Sequence, residues 1–232
     1  MNGANKRFMS GKTVWLQSHL IVYNVARGTM GDPFGQGLGT VGAELQTYDF
    51  DLRKIGGIQL SNGNAGEEFE LRGLTDVNPN TTRNVTGSTR AIVAYFLPWG
   101  GQKTYCGKLG NNAKYFFTPT LNGCTFTYSD NGPNPSVAHS NFVDLNSQQA
   151  DQTAMDNDLN NKFGGQAPAN KIVKTDYKRV PTGGEDYRAT VIGIRTGNSW
   201  DFYYQNYKVE NQDLGTQGVV TLRTGLNLCV PI

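Results

Sequence analysis

Histidine and cysteine are scarce in this chain of 232 residues, which has two histidines and three cysteines. No CxxC pair and no HExxH sequence occurs, so the spacings typical of zinc sites are missing. The cysteines are Cys106, Cys124 and Cys229. Their odd number, without an evident secretory signal, argues against a disulfide framework. A Cys106–Cys124 bridge is the alternative to free thiols.

Charge is also scarce, since charged residues make up 17% of the chain and the net charge is +2. There is no cluster of Lys and Arg and no basic helical stripe, so we expect no nucleic-acid partner. No apolar run approaches the length that spans a bilayer, so we expect no membrane partner. The first apolar stretch is interrupted by Gln17, Ser18 and His19, which makes a poor signal peptide. We expect an ordinary strand or helix there.

Glycine is abundant, at 29 residues, and many segments alternate or contain β-forming residues. The clearest helix candidate is Ser147–Phe163, which ends before Gly164-Gly165, and a second helix within the first hundred residues cannot be placed. The Gly-rich segment Gly28–Gly42 is expected to be a long loop. The pattern predicts an α+β fold in one domain, residues 1–232, with a central β-sandwich and helices packed outside. The predicted strands are Thr13–Val25, Leu45–Leu52, Ile55–Leu60, Glu67–Leu71, Arg90–Leu97, Tyr115–Pro119, Thr125–Tyr128, Arg188–Arg195, Trp200–Lys208 and Val219–Thr224.

The residues with the clearest chemical potential lie in the segment Phe117–His139. A β-rich run leads to Cys124, a second β-run follows it, and a turn-rich loop then leads to His139. If the segments that flank this loop pair as neighbours, the imidazole lies beside the thiol. An imidazole can take the thiol proton, hold the thiolate as an ion pair and later protonate departing ammonia. The sequence therefore offers a Cys-His pair suited to attack on a carboxamide.

The residues next to the cysteine could support such chemistry. Gly123 allows close approach of the backbone. The N–H of Cys124 and a neighbouring N–H of the turn, which contains Asn122 and Gly123, could form an oxyanion hole. A third group must orient the imidazole, and Thr118 or a backbone carbonyl could do so. The simpler alternative is that Cys124 is a small buried hydrophobic residue and His139 a solvated one.

The run Thr118-Pro119-Thr120-Leu121-Asn122-Gly123-Cys124, followed by His139, resembles the T-x-x-L-S-G-C…H signature of glutamine-deamidating bacterial toxins. These toxins include Burkholderia lethal factor and the catalytic domain of the cytotoxic necrotizing factors, and the chemotaxis receptor deamidase is more distant. Burkholderia lethal factor shares two further features, which here are Leu97-Pro98-Trp99 and Asp130-Asn131-Gly132-Pro133. The overlap runs from about Arg90 to His139.

Two features depart from the family pattern. Asn122 stands where the family usually has Ser, which changes the kind of hydrogen bond that this side chain can form. The spacing from Cys124 to His139 is fifteen residues (139 − 124 = 15), longer than expected for the Burkholderia factor. The additional residues fall in the turn Asn131–Ser136, where insertion is inexpensive.

The resemblance implies that Cys124 is the nucleophile, His139 the catalytic histidine and Thr118 the active-site threonine. It implies hydrolysis of a glutamine side chain to glutamate in a host protein, without a metal or organic cofactor, on a β-sandwich wrapped by helices. Substrates in the family include a translation-initiation helicase and Rho-type GTPases. The protein would be secreted or injected by a bacterium and would act as a monomer in the host cytoplasm.

Two other functions remain open. The same Cys-His pair could serve a protease or a transglutaminase, because all three reactions share an acyl-enzyme step and differ in the amide attacked and the final acceptor. A strand-dominated chain rich in Gly, Asn and Thr could instead be a non-enzymatic module that binds carbohydrate or protein. Trp99 and Tyr95 could line a substrate groove, or they could fill a buried strand.

Overall fold

A computed structural model describes residues 3–23, 39–60, 62–73, 91–177, 186–213 and 219–232. The fold of the described residues is mixed, mostly strands with few helices, which confirms the predicted α+β class. Its helices are α1 (Gly3–Leu16), α2 (Gln152–Lys162) and α3 (Lys174–Tyr177). Its strands are β1 (His19–Val22), β2 (Thr47–Leu60), β3 (Ala65–Gly73), β4 (Ile92–Phe96), β5 (Lys103–Lys108), β6 (Tyr115–Phe117), β7 (Thr125–Tyr128), β8 (Ser136–Asn141), β9 (Lys171–Ile172), β10 (Asp186–Thr196), β11 (Ser199–Asp213) and β12 (Val219–Pro231).

The strands form two sheets. The larger sheet has the order β1-β3-β2-β12-β11-β10-β6-β4, and β2 also pairs with β4, so this sheet curls back on itself. The smaller sheet has the order β5-β8-β7-β9, and its neighbouring strands are all antiparallel. Strand β8 is therefore flanked by a partner on each side.

Strand β6 contributes to two apolar clusters because its successive side chains point to opposite faces. Phe117 packs inside the curled sheet with Phe50 and with Phe8 of α1. Phe116 packs against the small sheet, where it meets Phe126. Complete burial of each such ring contributes about 1.5–3 kcal/mol. The second cluster fixes the two sheets against each other, and it contains Cys124.

The chain crosses from the large sheet to the small one between the end of β6 and the start of β7. Midway, Leu121 exchanges two backbone hydrogen bonds with Ala189 of β10, at 2.7 and 3.1 Å. The pairs Lys103↔Asn141 and Thr125↔Ser140 show that the starts of β5 and β7 and the end of β8 lie at one end of the small sheet. The crossing segment therefore reaches this end of the small sheet.

Helix α2 is shorter than the predicted helix Ser147–Phe163. It begins at Gln152 because the carboxylate of Asp151 caps it and accepts a hydrogen bond from the N–H of Ala154 at 2.9 Å. The preceding residues form a separate turn, in which Asp144 accepts from the N–H groups of Asn146 and Ser147. The predicted end is close to the observed one.

The N-terminal prediction was wrong in part. Residues Thr13–Leu16 of the predicted strand Thr13–Val25 form the end of α1, and the strand itself is limited to His19–Val22. The helix is favoured there because it buries Trp15 and Leu16 in the apolar core. The predicted loop Gly28–Gly42 lies mostly outside the described residues.

Candidate active site

The turn before Cys124 requires glycine. Gly123 has φ +92°, a conformation that L side chains rarely adopt, and a Cβ at this position would lie 3.1 Å from the Cβ of Ala150. Asn122 is exposed to solvent, whereas the side chain of Cys124 is 5% exposed. The thiol therefore lies just below the surface, two residues from a solvent-facing position.

His139 occupies the middle of the small sheet. In strand β8 it pairs with Tyr105 on one side and with Phe126 on the other, and it is completely buried. Cys124 belongs to the same apolar cluster as Tyr105 and Phe126, so the thiol and the imidazole are on the same face of this sheet. Cys124 directly precedes β7, whose first residue Thr125 pairs with Ser140, the residue that follows His139.

Thr118 orients the imidazole. Its hydroxyl oxygen lies 2.9 Å from the carbonyl oxygen of Leu97 and 2.7 Å from Nδ1 of His139. A hydroxyl has one proton and a carbonyl oxygen can only accept, so the Thr118 proton goes to Leu97 and Nδ1–H donates to Thr118. This network assigns the proton of the neutral ring to Nδ1 and leaves a lone pair on Nε2.

Nε2 of His139 has no hydrogen-bond partner among the described residues, although it is buried. Leaving a buried polar atom unpaired costs about 1–3 kcal/mol, so such atoms are uncommon outside sites with a purpose. The unpaired nitrogen is the one that can accept a proton, and it lies on the face that carries Cys124. Of the three residues predicted from sequence, Thr118 and His139 are in direct contact, whereas Cys124 makes no hydrogen bond with Nε2 of His139.

Burial controls the charge of the pair. It raises the pKa of the Cys124 thiol to about 11, although a hydrogen bond from the backbone N–H of Asn122 acts in the opposite direction. It lowers the pKa of His139 to about 3. Both directions favour the neutral thiol and the neutral imidazole. The resting site therefore differs from the thiolate–imidazolium pair that the sequence led us to expect.

The backbone donors of the turn already have partners. The N–H of Gly123 donates to the hydroxyl of Tyr177 at 2.8 Å, and this hydroxyl donates to the carbonyl oxygen of Cys124 at 3.0 Å. The N–H of Asn122 is directed at the Cys124 sulfur. Nothing in the sequence pattern pointed to Tyr177, because 53 positions separate it from Cys124.

The two aromatic residues considered for a substrate groove have different positions. Tyr95 is completely buried, and its hydroxyl contacts Glu44 and the N–H of Asn112. Trp99 is 40% exposed and lies in the connection that leads to β5, at the same end of the small sheet as the crossing segment. A contact with substrate is therefore open to Trp99 and excluded for Tyr95 in this state.

Cys106 and Cys124 are both free thiols, so the alternative of a bridge between them is not realised. No group of three or more His, Cys, Asp or Glu side chains that could hold a metal ion occurs in the described part of the chain. Within the same residues, no helix combines the length and apolar character needed to cross a membrane.

Comparison with known proteins adds no relative to this picture. No protein-family model matches the chain, and no curated protein matches it in sequence.

Proposed function

We propose that this chain is a cysteine-dependent deamidase that converts a glutamine side chain of another protein to glutamate. The observation that carries the proposal is the hydrogen bond from Nδ1 of His139 to Thr118, which leaves an unpaired, buried Nε2 on the face of Cys124. A nucleophile, a base and a group that orients the base are the three parts that nucleophilic amide hydrolysis requires.

The first step forms a thioester. The Cys124 sulfur attacks the carboxamide carbon while Nε2 of His139 takes the thiol proton, and the imidazolium then gives this proton to the departing nitrogen. The C–N bond breaks and ammonia leaves. Because the resting pair is neutral, proton transfer accompanies the attack instead of preceding it.

The second step restores the thiol. A water molecule attacks the thioester carbon, and Nε2 accepts a proton from it. The C–S bond breaks, the sulfur regains the proton from the imidazolium, and the glutamate side chain is released. Thr118 supports both steps because its hydrogen bond to Nδ1 stabilises the imidazolium and holds the ring in place. No metal and no organic cofactor takes part in this scheme.

The alternative, a non-enzymatic module, is favoured by the burial of Cys124 in an apolar cluster. A binding module does not explain why Nδ1 of His139 is held by Thr118 while Nε2 is unpaired. An unpaired buried nitrogen costs about 1–3 kcal/mol, and other buried atoms of the described residues, such as Nε1 of Trp15 and of Trp200, are unpaired as well. What supports the enzyme over the binding module is that the second ring nitrogen of His139 is held by Thr118.

The finer fold and the biological setting belong to the same proposal. An apolar cluster shared by the two sheets supports a sandwich-like core of the kind that the deamidase toxins have. The resemblance of residues 118–124 and His139 to those toxins supports a host protein as substrate, with a translation-initiation helicase or a Rho-type GTPase as the first candidates. The chain would then be delivered by a bacterium and act in the host cytoplasm as a monomer.

The test is incubation of the wild-type chain with these candidate proteins, followed by mass spectrometry of their peptides for glutamine converted to glutamate. Cys124→Ala should abolish the conversion. Cys106→Ala is the matched control, because it removes the other buried thiol of the same sheet and should keep activity within about twofold of wild type. Identical peptide maps from wild type and Cys124→Ala would contradict the proposal for the proteins tested.

The same samples separate the related reactions. Incorporation of an added amine at glutamine would point to transglutamination, and cleavage of the backbone would point to proteolysis. Both reactions use the same acyl-enzyme and differ in the acceptor or in the amide attacked.

A further inference from the structure

Tyr177 is the residue outside the proposed catalytic set that contacts the backbone on both sides of the nucleophile. It is the last residue of α3, a four-residue helix directly after Val173, and it is 1% exposed. Its hydroxyl accepts a hydrogen bond from the N–H of Gly123 and donates one to the carbonyl oxygen of Cys124. The hydroxyl oxygen of Tyr177 thereby links the backbone of Gly123 to the backbone of Cys124.

Two physical conditions make this contact consequential. The Gly123 backbone is in the left-handed region, and glycine adopts positive and negative φ about equally readily, so a turn without its hydrogen bonds can change conformation. Small errors in the placement of a reacting atom are expensive, since about 1 Å of displacement can cost roughly 100-fold in rate. A group that fixes the turn therefore controls the placement of the thiol.

The phenol is suited to this task across the physiological pH range. Burial raises the pKa of Tyr177 far above its ordinary value, and the negative charge that Cys124 would carry when ionised acts in the same direction. The hydroxyl therefore keeps its proton and remains a donor to the carbonyl oxygen of Cys124 when the catalytic pair changes charge.

We propose that Tyr177 is a positioning residue for the nucleophile, which holds the turn at Gly123 and thereby sets the position of the Cys124 thiol. This inference rests on the proposed function, because it assigns the purpose of the contact to catalysis. Tyr177 does not contact the substrate in this scheme and acts through the backbone alone.

The experiment compares Tyr177→Phe with Tyr128→Phe in the full chain. Tyr128 is a matched control, because it is buried in the same apolar cluster and its hydroxyl donates to a backbone carbonyl, that of Ile232, at 2.6 Å. Both variants lose a buried phenol hydroxyl, and both should lower the melting temperature. We expect Tyr177→Phe to reduce kcat by about 10- to 100-fold with KM within about twofold, and Tyr128→Phe to keep both constants within about twofold.

Two further measurements do not depend on turnover. In the wild type, hydrogen exchange measured by NMR should show a protected Gly123 amide, and protection should be lost in Tyr177→Phe. The rate at which iodoacetamide labels Cys124 should rise by about tenfold or more in Tyr177→Phe, while the rate at Cys106 stays constant, because only the turn before Cys124 is loosened.

The outcomes separate the inference from the proposed function. If the wild type shows no conversion of glutamine that depends on Cys124, the proposed function is contradicted. Hydrogen exchange at Gly123 and iodoacetamide labelling of Cys124 would still show whether Tyr177 holds the turn. An active wild type whose Tyr177→Phe variant keeps kcat overturns the positioning role alone. An unprotected Gly123 amide in the wild type also overturns the positioning role, and this result does not require Tyr177→Phe to fold. Equal losses of kcat in Tyr177→Phe and Tyr128→Phe would show that Tyr177 contributes to stability alone.

Discussion

The small sheet presents a buried cysteine on each of its two faces. Cys106 in β5 pairs with Ala138 and lies with Ala138 and Leu159 of α2 in one apolar cluster. Cys124 lies on the opposite face, where His139 is also found. Burial raises the pKa of both thiols, and the charges of Lys162 and Asp158 act on the pKa of Cys106 in opposite directions.

The two faces differ in polar groups and not in burial. The Cys106 face is apolar at the sulfur, whereas the Cys124 face has an oriented imidazole and the backbone N–H of Asn122 directed at the sulfur. Burial by itself makes a thiol inert, because it disfavours the thiolate. The proposed reactivity of Cys124 therefore depends on these polar groups, of which the imidazole and its partner Thr118 can each be removed by substitution.

The largest effect should come from removal of the base. His139→Asn keeps a polar side chain of similar size but provides no group that accepts and returns a proton, so kcat should fall by about 10²- to 10⁴-fold. The measurement is the rate of ammonia release from a glutamine-containing protein or peptide substrate. If His139→Asn kept activity within tenfold of wild type, His139 would not be the base, and the imidazole would not distinguish the Cys124 face of the sheet from the Cys106 face.

A smaller loss is expected at Thr118. Thr118→Val preserves the shape of the side chain but removes the acceptor of the Nδ1–H of His139, which frees the ring to rotate and to change its protonated nitrogen. We expect kcat to fall by about 10- to 100-fold, as for other residues that orient a catalytic imidazole. Thr127→Val is the control, because Thr127 is also a buried threonine whose hydroxyl donates to a backbone carbonyl, that of Asn170, at 2.7 Å. Equal rates for the two valine variants would contradict the orienting role.

The pH dependence of stability tests whether His139 is neutral in the fold. Its pKa is lowered to about 3 from the model-peptide value of 6.5, so the unfolded chain takes up the proton first as the pH falls. This histidine should therefore cost the fold up to about 1.4 kcal/mol for each pH unit between the two pKa values, with full stability above the higher one. Urea unfolding between pH 4 and 7 measures the slope, and His139→Asn should reduce it. An unchanged slope would show that His139 is not held neutral.

The smallest contrast should appear in the labelling of the two resting thiols. The pKa of Cys124 is raised to about 11 and that of Cys106 is also raised, so iodoacetamide should label both slowly at pH 8, with rates within about tenfold of each other. The Cys124 rate should continue to rise toward pH 11. Selective, fast labelling of Cys124 at neutral pH would instead indicate the preformed ion pair that the sequence suggested.

Local chemistry made part of this structure predictable. Strand β7, Thr125–Tyr128, was predicted with its observed bounds, because alternating β-formers lie between Gly123 and a turn rich in Asn, Gly and Pro. The segment Val137-Ala138-His139 was placed beside it through the hairpin that follows. Strand β5 was not predicted, since Gly107 and two lysines interrupt its pattern, and it is stabilised by pairing with β8.

The site was predictable where its residues are close in sequence. Cys124, His139 and Thr118 lie within 22 positions of one another, and the contact between Thr118 and His139 requires only a hairpin and one crossing between sheets. Tyr177 and Leu97 come from other parts of the chain, and only tertiary packing brings them to the turn. The sequence pattern could not predict the protonation states of Cys124 and His139, because these depend on how deeply the core buries the thiol and the imidazole.

The hydrogen bond between Thr118 and His139 joins the end of a strand in one sheet to the middle of a strand in the other. A slight sliding of the two layers would separate these atoms while every ladder inside each layer stayed intact. The proposed activity then depends on how the layers are docked, and heating should abolish it several degrees below the temperature at which the strands melt.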